Sequence, residues 1–236
     1  MMSSSEERSV TIPVAGVTLA GDLAIPSRTL GLVLFAHGSG SSRRSPRNRF
    51  VAERLQREGF VTLLIDLLTE QEDRVYATRF DIDLLTRRLT AVTAWLQGFP
   101  PVAGLAIGYF GASTGAASAL RAAAELGDQV RAVVSRGGRP DLAVGDLGRV
   151  RAPTLLIVGG RDLSVIELNR QAYALLRSVR KLEIVPGATH LFEEPGALAA
   201  VADLAAAWFA QYLPLPAAVP AGTTTAGEAA DRPHPS

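Results

Sequence analysis

Ser113, Asp162 and His190 carry the residue types of an acyl-transfer site, and each stands just after an apolar run. Ser113 lies between glycines in Gly111-Ala112-Ser113-Thr114-Gly115. That pattern works as a nucleophile only where a strand ends in a tight turn and a helix starts at once. The run GLAIGYFG reads as the strand, ASTG as the turn and AASALRAAAEL as the helix. The glycines let the backbone come close where a Cβ would collide. The helix N-terminus offers free N–H groups and a positive dipole end.

A serine hydroxyl is too weak an acid to attack an ester unaided, so a base is needed. Of the three histidines, His234 lies near the end of the chain and His37 follows the run GLVLFA. His190, in VPGATHLFEEPG after the run KLEIV, is therefore the expected base. Taken alone, such a histidine reads more simply as a hydrogen-bonded structural residue. Asp162, after PTLLIVGGR, is the expected acid that orients the imidazole and stabilises its cation. By itself an aspartate there reads as a helix or turn cap. Asp66, after FVTLLI, is an alternative acid but precedes the nucleophile, and is expected to be structural. Charge developing on the carbonyl oxygen needs donors, and the turn HGSGSS after GLVLFA can supply them. The backbone N–H groups of Ser39 and Thr114 are the expected oxyanion hole, with His37 a structural residue of the turn.

Placing these residues requires a sheet whose strand ends share one edge. Eight β-type runs are present: SVTIPV, VTLAGDLAIP, GLVLFAHG, FVTLLID, GLAIGYFG, VRAVVSRG, PTLLIVGG and KLEIVPG. Several are unbroken Val/Ile/Leu runs, as in strands covered on both faces. Helical runs lie between them at about 47–58, 80–96, 114–126, 165–177 and 195–212. In the second, Phe80, Leu84, Leu85, Leu89, Val92 and Leu96 recur at helical spacing, a core stripe. Strands followed by repeated strand-helix units predict an α/β fold with a doubly wound, mostly parallel sheet of about eight strands and an antiparallel N-terminal edge. The expected organisation is a flexible N-terminus over 1–8, one domain over 9–213 and a disordered tail rich in Pro, Ala, Gly and Thr over 214–236. The span from Arg136 to Ala152 is too short for a lid domain, so the site is expected to be open, walled by loops 39–46, 67–79, 136–142 and 163–166.

Charge narrows the partners. With 24 basic and 23 acidic residues, the chain has no basic excess of the kind that nucleic acid or an anionic membrane selects. The absence of cysteine removes disulfides, thiolate metal sites and a cysteine nucleophile. The uncharged stretch from Gly98 to Leu120 is long enough for a membrane span, but Pro100-Pro101 and its glycines fit a buried strand running into a buried helix better. A polar, charged N-terminus without an apolar run suggests a cytoplasmic protein. No cofactor and no metal are implied, and the expected partner is a small-molecule ester substrate.

The motifs HGSG, GASTG, GGRD and GATH, in this order, resemble the α/β-hydrolase superfamily over about residues 9–213. The short loops, with HGSGSSRRSPRN and GATHLFEEPG, are most similar to its dienelactone-hydrolase-like branch. Dienelactone hydrolases proper carry a cysteine nucleophile where this chain has Ser113, so lactone specificity does not carry over. The resemblance implies an α/β-hydrolase fold and a serine hydrolase of small to medium carboxylic esters. The same triad would also serve an acyltransferase, thioesterase or amidase, and the fold can host a non-catalytic ligand-binding protein. Among the arginines of the expected walls (43, 44, 136 and 139), Arg136 and Arg139 are candidates to bind an acidic group of the substrate. The alternative is that they are solvated or paired with Asp141 and Glu193.

Overall fold

A computed structural model describes residues 6–14 and 16–213. Eight strands form one sheet in the order β1-β2-β4-β3-β5-β6-β7-β8. They are β1 (Glu6–Val14), β2 (Val17–Ile25), β3 (Gly31–Ala36), β4 (Phe60–Ile65), β5 (Ile107–Ala112), β6 (Val130–Arg136), β7 (Thr154–Gly159) and β8 (Arg180–Val185). β1 and β2 form an antiparallel hairpin laid antiparallel on β4, and the remaining neighbours are parallel. The expected architecture is therefore the one observed. β1 begins at Glu6, whose register partner is Ile25, so residues 6–8 belong to a strand and not to the flexible segment expected over 1–8. The tail expected over 214–236 lies outside the described residues.

Helices α1 (Pro46–Arg57), α2 (Glu70–Asp73), α3 (Ile82–Gly98), α4 (Thr114–Leu126), α5 (Leu163–Leu175) and α6 (Ala197–Tyr212) fill the connections. Strand side chains alternate between two cores, as a two-residue period requires. Leu32, Leu34 and Ile107 meet Leu85, Leu89 and Val92 of α3 and Ala119 and Leu120 of α4 on one face. Val33, Phe35 and Phe110 meet Val51 and Leu55 of α1 and Val201, Ala205 and Phe209 of α6 on the other. Leu89 is fully buried, and trimming such a side chain to Ala typically costs about 2–5 kcal/mol.

The uncharged stretch 98–120 is a short turn region leading into β5 and then α4. No described helix is long and apolar enough to cross a membrane. Between β6 and β7 lie only two 3-10 turns, Pro140–Ala143 and Leu147–Arg149, and no inserted lid. Because β3 to β8 run parallel, the loops after them open on a single edge of the sheet, the ordinary place for a ligand crevice in an α/β protein.

Candidate active site

Ser113 sits at that edge with φ 50° and ψ −120°, between β5 and α4. Such a conformation is rare for an L residue and costs about 1–3 kcal/mol. Neighbouring chain holds it in place. The Ser113 N–H donates to the Arg136 carbonyl at 3.1 Å, and the Ser113 carbonyl accepts from the N–H groups of Ala116 and Arg139, each at 3.1 Å. A Cβ at Gly115 would collide with the carbonyl oxygens of Ala36 and His37, so the start of α4 is pressed onto the end of β3. One at Gly38 would lie 3.0 Å from the Ser113 Cβ, which sets the β3 loop directly beside the serine.

His37 fixes that loop. Its Nε2 accepts the Leu67 N–H at 3.1 Å, so its Nδ1 carries the proton and donates to the Gly38 carbonyl at 2.9 Å. Burial pulls its pKa below the ordinary 6.5 against weaker raising effects, chiefly the Gly38 hydrogen bond. The structural role expected for His37 is what its bonds describe. The expected oxyanion pair stands differently. The Ser39 N–H already donates to Thr114 Oγ1 at 2.8 Å, because the threonine hydroxyl of the elbow reaches across to the turn. The Thr114 N–H has no partner among the described residues, and Ser113, at the N-cap position of α4, makes no side-chain cap.

Asp162 occupies the N-cap position of α5 but does not cap it. Its Oδ2 instead lies 2.6 Å from His190 Nδ1. Two backbone bonds stitch this turn to the histidine loop: Gly160 N–H to the Val185 carbonyl at 2.8 Å and Arg161 N–H to the Ala188 carbonyl at 2.9 Å. A Cβ at Gly159 would stand 2.5 Å from the carbonyl oxygens of both Ala188 and Thr189. Within the histidine loop, the Thr189 N–H donates to Glu194 Oε2 at 3.0 Å. The hydrogen bonds from Thr189 hold the Glu194 carboxyl below its usual range. The His190 ring lies against Gly137, next to the Arg136 carbonyl that accepts the Ser113 N–H, and a Cβ there would stand 3.4 Å from the ring. Among the described residues no hydrogen bond joins Ser113 Oγ to His190. Such contacts commonly tighten only when substrate is bound.

The arginines of the walls separate clearly. Arg139 forms a two-point pair with Asp141 through Nε and Nη2, at 2.9 and 2.7 Å, the alternative weighed against a substrate role for it. Arg43 pairs with Asp66 and with Asp22, and its N–H also donates to Asp66 Oδ1 at 2.7 Å. Asp66 is thus a structural anchor of the β3 loop. Arg136 is 7% exposed and has no acidic partner among the described residues. Burial, and then the like charge of Arg47, push its pKa down to about 10.

One positioning residue escaped the sequence reading. Asn169, fully buried in α5, donates through Nδ2 to the carbonyls of Gly138 at 3.0 Å and Val165 at 2.8 Å. It ties the helix that starts at Asp162 to the loop that brackets Ser113. Its only sequence signal is an asparagine on the stripe Val165, Ile166, Asn169, Ala172.

The sequence pattern of the Dienelactone hydrolase family matches residues 19–213. Among solved structures, a dienelactone hydrolase from Anabaena variabilis is 57% identical, with a TM-score of 0.87 over 89% of this chain and 99% of that one. Est1E from Butyrivibrio proteoclasticus shares the fold at 17% identity and a TM-score of 0.75, over 86% of this chain and 98% of its own. A Mycobacterium tuberculosis protein named "Putative phosphoribosyl transferase" is 58% identical over 207 residues, 88% of this chain. This chain spans about half, 47%, of that relative's length. The pattern and the Anabaena structure cover nearly all of the described fold, and the chain belongs to the dienelactone hydrolase family.

Proposed function

We propose that the chain is a serine hydrolase of small to medium carboxylic esters, with Ser113 as nucleophile, His190 as general base and Asp162 as its orienting acid. The observation that carries the reading is the use of the Asp162 carboxylate on His190 Nδ1 in place of a cap on α5. The Nδ1–H donates to Asp162, which leaves Nε2 as the acceptor for the serine proton. Ser113 Oγ attacks the acyl carbon as His190 takes its proton. The carbonyl oxygen becomes an oxyanion at the N-terminus of α4, where the unpartnered Thr114 N–H is the nearest donor in sequence. The Ser39 N–H joins it once Thr114 Oγ1 releases it. The C–O bond to the alcohol then breaks, His190 returns the proton to the leaving alkoxide, and water repeats the sequence on the acyl-enzyme to release the acid. No step calls on a metal or cofactor.

Esterases among the structural neighbours support the reading at the level of the fold. Phosphoribosyl transfer we assign to the part of the mycobacterial relative outside the shared region. We further propose a cytoplasmic enzyme whose partner is a small molecule and not nucleic acid or membrane. The test is a fluorophosphonate probe with intact-mass readout on wild type and Ser113→Ala, followed by p-nitrophenyl esters of increasing acyl length. One adduct on wild type and none on the variant is expected. No adduct on wild type, or an equal one on the variant, overturns the nucleophile assignment. An adduct without ester turnover would favour acyl transfer or a thioester or amide substrate.

A further inference from the structure

The edge of a sheet presents a row of backbone N–H and C=O groups that can template another strand, and proteins blunt such edges with proline, charge or short length. The two edges of this sheet differ. β1 carries Pro13, which has no N–H to offer. β8 contains no proline, and among the described residues no strand pairs with its outer side.

Two bonds fix which way the β8 backbone faces. The Val179 and Val185 carbonyls accept the N–H groups of Thr154 and Gly160, each at 2.8 Å. Because a strand alternates, Lys181 and Glu183 also turn their backbone groups to β7, and Arg180, Leu182 and Ile184 turn theirs outward. Side chains alternate between faces in the same way. Leu182 and Ile184 pack against Val158, Val165 and Ile166. Lys181 and Glu183 therefore share the opposite face, where Lys181 Nζ lies 2.6 Å from Glu183 Oε1 and the lysine side chain is 59% exposed. Lys181 is the only lysine among the 24 Lys and Arg residues of the chain.

The run Val179-Arg180-Lys181-Leu182-Glu183-Ile184-Val185 complements itself when laid against its own reverse. With Leu182 on a two-fold axis, Leu182 meets Leu182, Lys181 meets Glu183 and Val179 meets Val185. The backbone allows this register: Leu182 exchanges both bonds with its copy, and Arg180 does so with Ile184. Lys181 and Glu183 then form the non-hydrogen-bonded pairs, whose Cα atoms stand about 4.5 Å apart with side chains closest. Sliding by two residues keeps the backbone bonds but sets Lys181 against Lys181, or Glu183 against Glu183. Charge therefore selects a single register.

We propose that the free side of β8 is an interaction surface for a second copy of this chain, paired antiparallel about Leu182 so that the two sheets continue through β8. The two crevices then open in opposite directions. The inference does not rest on the hydrolase reading.

The test is sedimentation equilibrium over a dilution series on wild type, Lys181→Glu, Glu183→Lys and the Lys181→Glu/Glu183→Lys double variant, with circular dichroism to check folding. Wild type should dimerise. Either single change sets like charges opposite each other in both symmetry-related pairs and should weaken the dimer by roughly 10–100-fold. The double variant reverses both pairs and should recover most of the loss. An equimolar mixture of the two single variants should associate as a heterodimer, since every pair in it is of opposite sign. The lone lysine also lets a carbodiimide crosslink read the register. Mixed light and isotope-labelled wild type should give a peptide of both isotopes joining Lys181 to Glu183. Wild type that is monomeric at every concentration would overturn the inference. So would a dimer that both single variants keep at wild-type strength, or a double variant and a mixture that both stay monomeric. A Lys181 crosslink to Glu228 or Asp231 would give the edge to the residues beyond 213 and would overturn it as well. The mixture keeps the test decisive if a single variant is less stable, because only pairing across the axis restores association on mixing.

Discussion

Gly159→Ala tests whether the catalytic geometry depends on backbone packing behind the Asp162–His190 pair. Gly159 ends β7 without a positive φ, so alanine meets no backbone strain there. The only obstacle is space: the new Cβ would stand 2.5 Å from the carbonyl oxygens of Ala188 and Thr189, closer than the 3.0 Å that real Cβ atoms respect. Both obstacles are backbone, so the histidine loop must retreat by at least about 0.5 Å. It carries His190 away from Asp162 and lengthens a 2.6 Å contact beyond 3 Å. Overpacking of this kind costs about 1–3 kcal/mol of stability. A misplacement approaching 1 Å costs catalysis on the order of a hundredfold. Urea denaturation and kcat/KM on a p-nitrophenyl ester measure the two effects. Gly145→Ala serves as the control, because nothing lies within 4 Å of its new Cβ. If Gly159→Ala kept wild-type kcat/KM while the control behaved alike, the claim that this contact sets the position of His190 would fail.

The nucleophile elbow predicts opposite effects on stability and activity. Ser113→Gly should abolish esterase activity yet be about 1 kcal/mol more stable than Ser113→Ala, since only glycine relieves φ 50°; equal unfolding midpoints would refute the strain. Acid should act through His37. Its folded pKa is depressed by burial, so below the ordinary 6.5 the unfolded chain binds the extra proton, and its contribution to stability, complete above 6.5, declines as the pH falls toward the folded value. The slope from this one group is at most about 1.4 kcal/mol per pH unit. A His37→Asn variant with an unchanged slope between pH 6.5 and 5 would exclude His37 as its source.

Much of this arrangement was legible because one physical cause acted alone. The unbroken apolar runs of β3, β4 and β7 could only be strands covered on both faces, and all three proved fully buried. The helix Ile82–Gly98 followed from its stripe, with ends displaced by two residues where Asp81 caps it through the Leu84 N–H. Competition between causes hid the rest. α2 fell in a stretch expected to be loop, although Thr69 and Glu72 form a capping box that the sequence displays. Arg136 and Arg139 looked alike as loop cations. What separates them is Asp141, two residues beyond Arg139, and the β6 alternation that turns Arg136 inward. Nothing in the sequence marks the hydroxyl of Thr114, and only three dimensions show it holding the Ser39 N–H. For Asp162 the sequence left two readings, an acid facing His190 or a helix cap, and only the fold shows the carboxylate on His190 Nδ1 with no cap made.

The histidine side chain keeps 39% of its surface open while its aspartate keeps 12%. An acyl-enzyme at Ser113 would therefore sit in a crevice bathed in water at roughly 55 M, with no insert between β6 and β7 to shut it out. Any alternative acceptor would have to win that competition through binding at the rim of the sheet. On the proposed hydrolase reading, bulk solvent would otherwise take the acyl group at each turnover, so the second half-reaction would be a matter of abundance and selectivity would rest with the first.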